Sequence, residues 1–230
     1  MLDFAGTLFL VFYLGSILTV VLRQAHSSAA LKAALGFLLL WLVLEMALAS
    51  GASLLSKAVR PNMLMFALSM LLLGAAWMSS PALRRAAAEI PLASLVALHA
   101  WRLGGFFFLL LQAAGRAAWP FAPVAAIGDM ITGLLASCFA IGFARGGSWR
   151  SDLIAAWNGF GLIDLIVAIA LAFLSTPGAP FQIFTRVPPL PAFATMPWMM
   201  VPVAIVPALI FLHLAIARKL RGDRFTAISC

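Results

Sequence analysis

The sequence predicts an all-α integral membrane protein, a single domain over residues 1–230 built as a bundle of about seven transmembrane helices. Three observations carry that prediction. Hydrophobic residues make up 64% of the chain and charged residues only 10%, with a mean hydropathy of +1.09. A soluble domain carries about a quarter charged residues and could not cover itself with so few. The apolar residues fall in runs long enough to cross a hydrocarbon core, and the basic residues gather at the ends of those runs. Lysine and arginine anchor helices to lipid headgroups there, so the formal charge of +8 points to the bilayer and not to nucleic acid. No basic stripe with interleaved aromatics is present.

The expected spans are 4–22, 33–54, 63–79, 92–113, 121–143, 153–175 and 197–217. The first lacks a basic leader and begins Met1-Leu2-Asp3-Phe4, so it reads as a retained anchor. The third is short. Between it and the fourth, Pro81 and Pro91 bracket a segment with Arg84, Arg85 and Glu89, which predicts a short interfacial helix. The fifth carries a stripe of small residues around an acid: Ala122, Ala125, Asp129, Thr132, Gly133, Ala136 and Ala140. In the sixth, Trp157, Gly161, Asp164 and Ala168 line up at helical spacing. The connection 176–196 holds Pro177, Pro180, Pro188, Pro189 and Pro191, and reads as a stiff surface connector or a lid. In the seventh span Pro197 suits a helix start, while Pro202 and Pro207 each remove a backbone hydrogen bond and should bend it. Cys138 lies inside an apolar run and Cys230 is the last residue, so no disulfide between them is expected.

Orientation follows from the alternation of loops. Lys57, Arg60, Arg116 and Arg186 fall on the side of the N-terminus. Arg23, Lys32, Arg84, Arg85, Arg145, Arg150, Arg218, Lys219, Arg221 and Arg224 fall on the other, four against ten. The positive-inside rule then puts the N-terminus outside and the C-terminus in the cytoplasm. The excess of arginine and alanine suits a bacterial chain, and hence the bacterial inner membrane.

Ionisable groups within spans are the best pointers to chemistry, because a charge at the bilayer centre costs roughly 2.5–3.5 kcal/mol on the gentlest scale. Glu45 lies in span two, His99 and Arg102 in span four, Asp129 in span five, Asn158 and Asp164 in span six, and His213 in span seven. Counting residues along each helix places Arg102, Glu45, Asp129 and Asp164 in one band near the midplane. Arginine stays protonated and needs a carboxylate. Small residues let helices approach closely and turn polar groups inward, so spans four, five and six should pack around Arg102, Asp129 and Asp164. Three acids against one arginine leave an excess that takes a proton or awaits a cation. His99 and His213 are weak candidates for the axial ligands of a b-type haem. A zinc site lacks its usual ligands.

From about residue 95 to 217 the sequence resembles a group of bacterial multi-pass membrane proteins to which no activity is assigned. The residues that carry this are Trp101-Arg102, Trp119-Pro120-Phe121-Ala122-Pro123, Gly128-Asp129, Trp157-Asn158, Gly161, Asp164, Pro202, Pro207 and His213. The resemblance brings no cofactor or reaction. No phosphate-binding G-x-x-x-x-G-K-[ST], H-E-x-x-H or G-x-S-x-G occurs. The last span contains no lysine inside it to hold retinal. Enzymatic activity is therefore not expected.

The leading expectation is a small transporter or solute- or ion-binding protein acting through Arg102, Asp129 and Asp164, with Glu45 and Asn158 as further contacts. A non-catalytic subunit that packs against other membrane polypeptides is the alternative. A haem-binding electron carrier is the third.

Overall fold

The computed structural model describes residues 1–24, 61–176, 181–184 and 191–228, with Gly36, Leu39 and Val43. Apart from those three positions the expected second span 33–54, with Glu45, lies outside these residues, as do Lys32, Lys57, Arg60, Arg186 and Cys230. The described residues are all α. The helices are α1 (Leu2–Gln24), α2 (Pro61–Ser79), α3 (Pro81–Glu89), α4 (Leu92–Leu98), α5 (Phe106–Ala113), α6 (Phe121–Ala144), α7 (Ser151–Leu174) and α8 (Val206–Ile228). Five spans are long and apolar enough to cross a membrane, or six if the bent pair α2–α3 is counted.

The expected boundaries in the described residues agree within a few positions, except in the seventh span, whose helix runs on to Ile228. The expected interfacial helix is α3, set at 90° to α2. The bend has a local cause. Pro81 opens α3, the Ser80 hydroxyl accepts from the Leu83 amide at 3.1 Å, and Arg84 turns back on α2. Its guanidinium donates to the Trp77 and Met78 carbonyls at 2.5 and 2.6 Å, supplying donors that the end of a helix lacks.

Two tethers define the ends of the bundle. At one end the Asp3 carboxylate accepts from Arg116 at 2.9 Å and from the Trp198 indole at 2.7 Å. At the other, Lys219 donates to the Ala88 carbonyl at 2.5 Å. α1 runs from the Asp3 end towards the Lys219 end, and so does α2, whose Phe66 meets Phe173 at the far end of α7.

The core is divided into three apolar clusters. Leu10, Tyr13 and Ile17 of α1 pack with Met65, Leu73 and the residues 199–209. Leu95, Val96, Phe139, Ile154, Trp157 and Ile216 fill the Lys219 end. Phe107, Phe108, Phe121, Phe193 and Trp198 fill the Asp3 end. Large apolar side chains on the outward faces, among them Ile127, Ile131 and Leu134 of α6 and Ile163 and Ile166 of α7, stay exposed, as lipid-facing residues do.

Of the proline-rich connection, expected as a stiff surface connector or a lid, residues 177–180 and 185–190 lie outside the described residues. Its last part, a 3-10 turn at Pro191–Ala194, packs into the bundle end. Ala192 and Phe193 are buried, and the Phe193 ring meets Phe108 and Phe121 at 5.8 and 5.5 Å. An apolar ring finds more contact there than on a headgroup surface. Where the prolines predicted a bend, the seventh span has a π turn at Val201–Ile205 leading into α8, in which the Val206 amide reaches the Val201 carbonyl. The prolines on either side of its centre lack the N–H groups that would close ordinary turns.

A buried arginine cluster as the candidate functional site

The continuous span 92–113 is not one α-helix. Between α4 and α5 the chain tightens into a 3-10 segment, His99–Gly105. Residues three apart eclipse in such a segment, so His99 and Arg102 stand one above the other. Three glycine contacts explain why α6 and α7 can approach it. A Cβ on Gly133 would lie 2.5 Å from the Leu103 amide nitrogen, and one on Gly105 would lie 2.5 Å from the Asp129 Cβ. A Cβ on Gly128 would collide with the Asp164 carboxylate.

The Arg102 side chain is sealed, with 1% of it exposed, and its fork is almost fully used. Nε donates to Asp129 Oδ1 at 2.6 Å, and Nη2 donates to Asp164 Oδ2. Nη1 donates to the Gly161 carbonyl at 2.9 Å and meets His213 Nε2 at 3.0 Å. Guanidinium has five donors and no acceptor, so His213 Nε2 must accept. The imidazole proton then sits on Nδ1 and is given to Asn158 Oδ1 at 2.9 Å, while Asn158 Nδ2 donates to the His213 carbonyl at 3.1 Å. One consistent proton arrangement thus runs from both carboxylates through Arg102 and His213 to Asn158.

The expected meeting of Arg102, Asp129 and Asp164 is therefore seen. Asn158 belongs to the network through His213 and not through the arginine. Sequence reasoning missed two partners, His213 as an acceptor from Arg102 and the Gly161 carbonyl. Nothing in a glycine's identity announces that its carbonyl will accept.

The histidines do not fit a haem. The rings of His99 and His213 lie 4.0 Å apart between centroids, tilted by 37°. Two axial imidazoles must have the whole macrocycle between them, and rings in contact leave no room for it. His213 Nε2 is also committed to Arg102. Among the described residues no group of three or more His, Cys, Asp or Glu is placed to hold a metal ion.

A family described as a domain of unknown function, DUF8737, matches residues 60–221, well over half of the chain. The chain belongs to the DUF8737 family. No curated protein and no solved structure matches it. The match extends upstream of residue 95 to take in α2 and α3. Arg102, Asp129, Asn158, Asp164 and His213 all fall inside it, so the whole cluster belongs to the DUF8737 region, whereas α1 with Asp3 and Tyr13 lies outside.

Proposed function

We propose that this protein is a small transporter or ion-binding protein of the bacterial inner membrane, working through the Arg102–Asp129–Asp164 cluster. The observation that carries this reading is the charge count. Two carboxylates share one guanidinium whose fork is nearly full, so one negative charge is left over in a low-dielectric interior. A proton or a small cation completes it. Asp129 is the exchanging group: its side chain keeps 15% exposure against 7% for Asp164. The π turn before α8 supplies a hinge, since such turns recur where a helix must flex for function. Orientation is N-out and C-in. In support, Arg23, Arg84, Arg85, Arg145, Arg150, Arg218, Lys219 and Arg221 lie at or toward the Lys219 end, and Arg116 at the Asp3 end.

The test is flux in proteoliposomes under imposed proton, sodium and potassium gradients. Asp129→Asn is expected to abolish the flux while thermal stability and yield stay near those of the parent. The saturated fork of Arg102 favours a second reading, a purely structural joint in a subunit of a larger membrane complex. That reading gains if Asp129→Asn loses stability in step with flux, or if no gradient drives any flux through the parent.

A further inference from the structure

The polar interior does not end at Asn158. Both ring nitrogens of His99 and the Thr132 hydroxyl are fully buried and make no hydrogen bond with any described residue. Leaving such groups unpaired in a low-dielectric interior is unfavourable enough that native structures nearly always supply a partner. Three atoms in one neighbourhood point to a shared one.

The neighbourhood is defined by common contacts. His99 lies against His213 in a tilted pair and meets Trp157 edge-on at 5.4 Å between centroids. The Trp157 indole donates to the Thr132 carbonyl at 3.0 Å. A Cβ added at Gly161 would lie 2.7 Å from His213 Cε1 and 2.8 Å from the Thr132 methyl, so the histidine pair and Thr132 flank one glycine. Thr132 is on α6 and His99 on the 3-10 segment, two elements packed directly against each other.

We infer that His99 and Thr132 form a second binding site, for a neutral protic molecule of the size of water, set against the His99–His213 pair. The chemistry selects the class. A neutral imidazole offers one donor and one acceptor, and a hydroxyl offers one donor and two acceptors. A molecule that both gives and takes hydrogen bonds can satisfy all of them. The titratable and charged groups facing His99 are His213 and Arg102. Neither imidazole nor hydroxyl carries a negative charge to hold a cation, which separates this site from the carboxylates that Arg102 binds.

The inference predicts opposite signs for a stability measurement. An unpartnered hydroxyl is a defect whose removal is favourable, whereas a hydroxyl that holds a ligand is a loss when removed. Thr132→Val keeps the shape and is expected to lower Tm by about 2–4 °C. His99→Phe should lower it as well, and the double variant should lose less than the sum, because both remove the same ligand. In bilayers with 15N-labelled histidine, polarisation from water protons should reach the His99 ring in the parent and fail to reach it in Thr132→Val. A Tm unchanged or raised by Thr132→Val, or no water transfer to His99 in the parent, overturns the inference. Should His99→Phe not fold, Thr132→Val carries the test alone. Neither readout involves flux, so failure here and failure of the proposed transport are seen separately.

Discussion

Arg102→Leu is expected to destabilise the protein by about 3–5 kcal/mol, the range found when one partner of a buried ion pair is removed. The variant strips the counter-charge from Asp129 and Asp164 together and frees His213 Nε2 and the Gly161 carbonyl. Protonation of the two carboxylates relieves part of the penalty, which places the loss at the lower end of that range. The triple variant Arg102→Leu, Asp129→Asn, Asp164→Asn should recover much of it, since no unpaired charge then remains. Thermal unfolding in a mild detergent, run on the parent and both variants, measures each step. Equal stability of the single and triple variants would show that charge imbalance is not what Arg102 relieves.

The second large effect concerns glycine, and magnitudes decide its sign. In the interior of a helix, alanine is better than glycine by about 0.8–1 kcal/mol. Gly159 on α7 has nothing within 4 Å of an added Cβ, so Gly159→Ala should be neutral or stabilising. At Gly133 the added atom meets backbone, the Leu103 nitrogen at 2.5 Å and the Arg102 carbonyl carbon at 3.0 Å. Backbone cannot rotate away as a side chain can. Overpacking costs about 1–3 kcal/mol, which exceeds the helix gain, so Gly133→Ala should be destabilising overall. It should also shift Arg102 off its carboxylates and impair whatever the cluster does. The same unfolding assay separates the pair, and a stabilised Gly133→Ala would mean that α6 and the 3-10 segment are not in this contact.

These contrasts show what could be read from the sequence and what could not. The spans were legible because hydropathy and length are properties of single segments, and α1, α6 and α7 agree with them to within about two residues. The convergence of Arg102, Asp129 and Asp164 was legible too, from burial cost and the small-residue stripes beside each acid. The 3-10 segment His99–Gly105 was not. It is a product of packing, since Gly133 and Gly105 let α6 press against it, and the same residues in isolation would continue a helix. Nor was the inward fold of Phe193, whose pocket is assembled from Phe108 and Phe121 far away in the chain. The Asp3–Arg116–Trp198 tether joins three distant segments, and no local pattern encodes it.

Two carboxylates against the one charge of Arg102 call for a proton or a bound cation in the cluster. Infrared spectroscopy of the protein in bilayers tests this most directly, by the C=O stretch of a protonated carboxyl recorded near neutral pH with and without sodium or potassium. A carboxyl band is expected that persists in the absence of a bound cation and disappears in Asp129→Asn. A spectrum in which Asp129 and Asp164 are both ionised with no cation bound would contradict it.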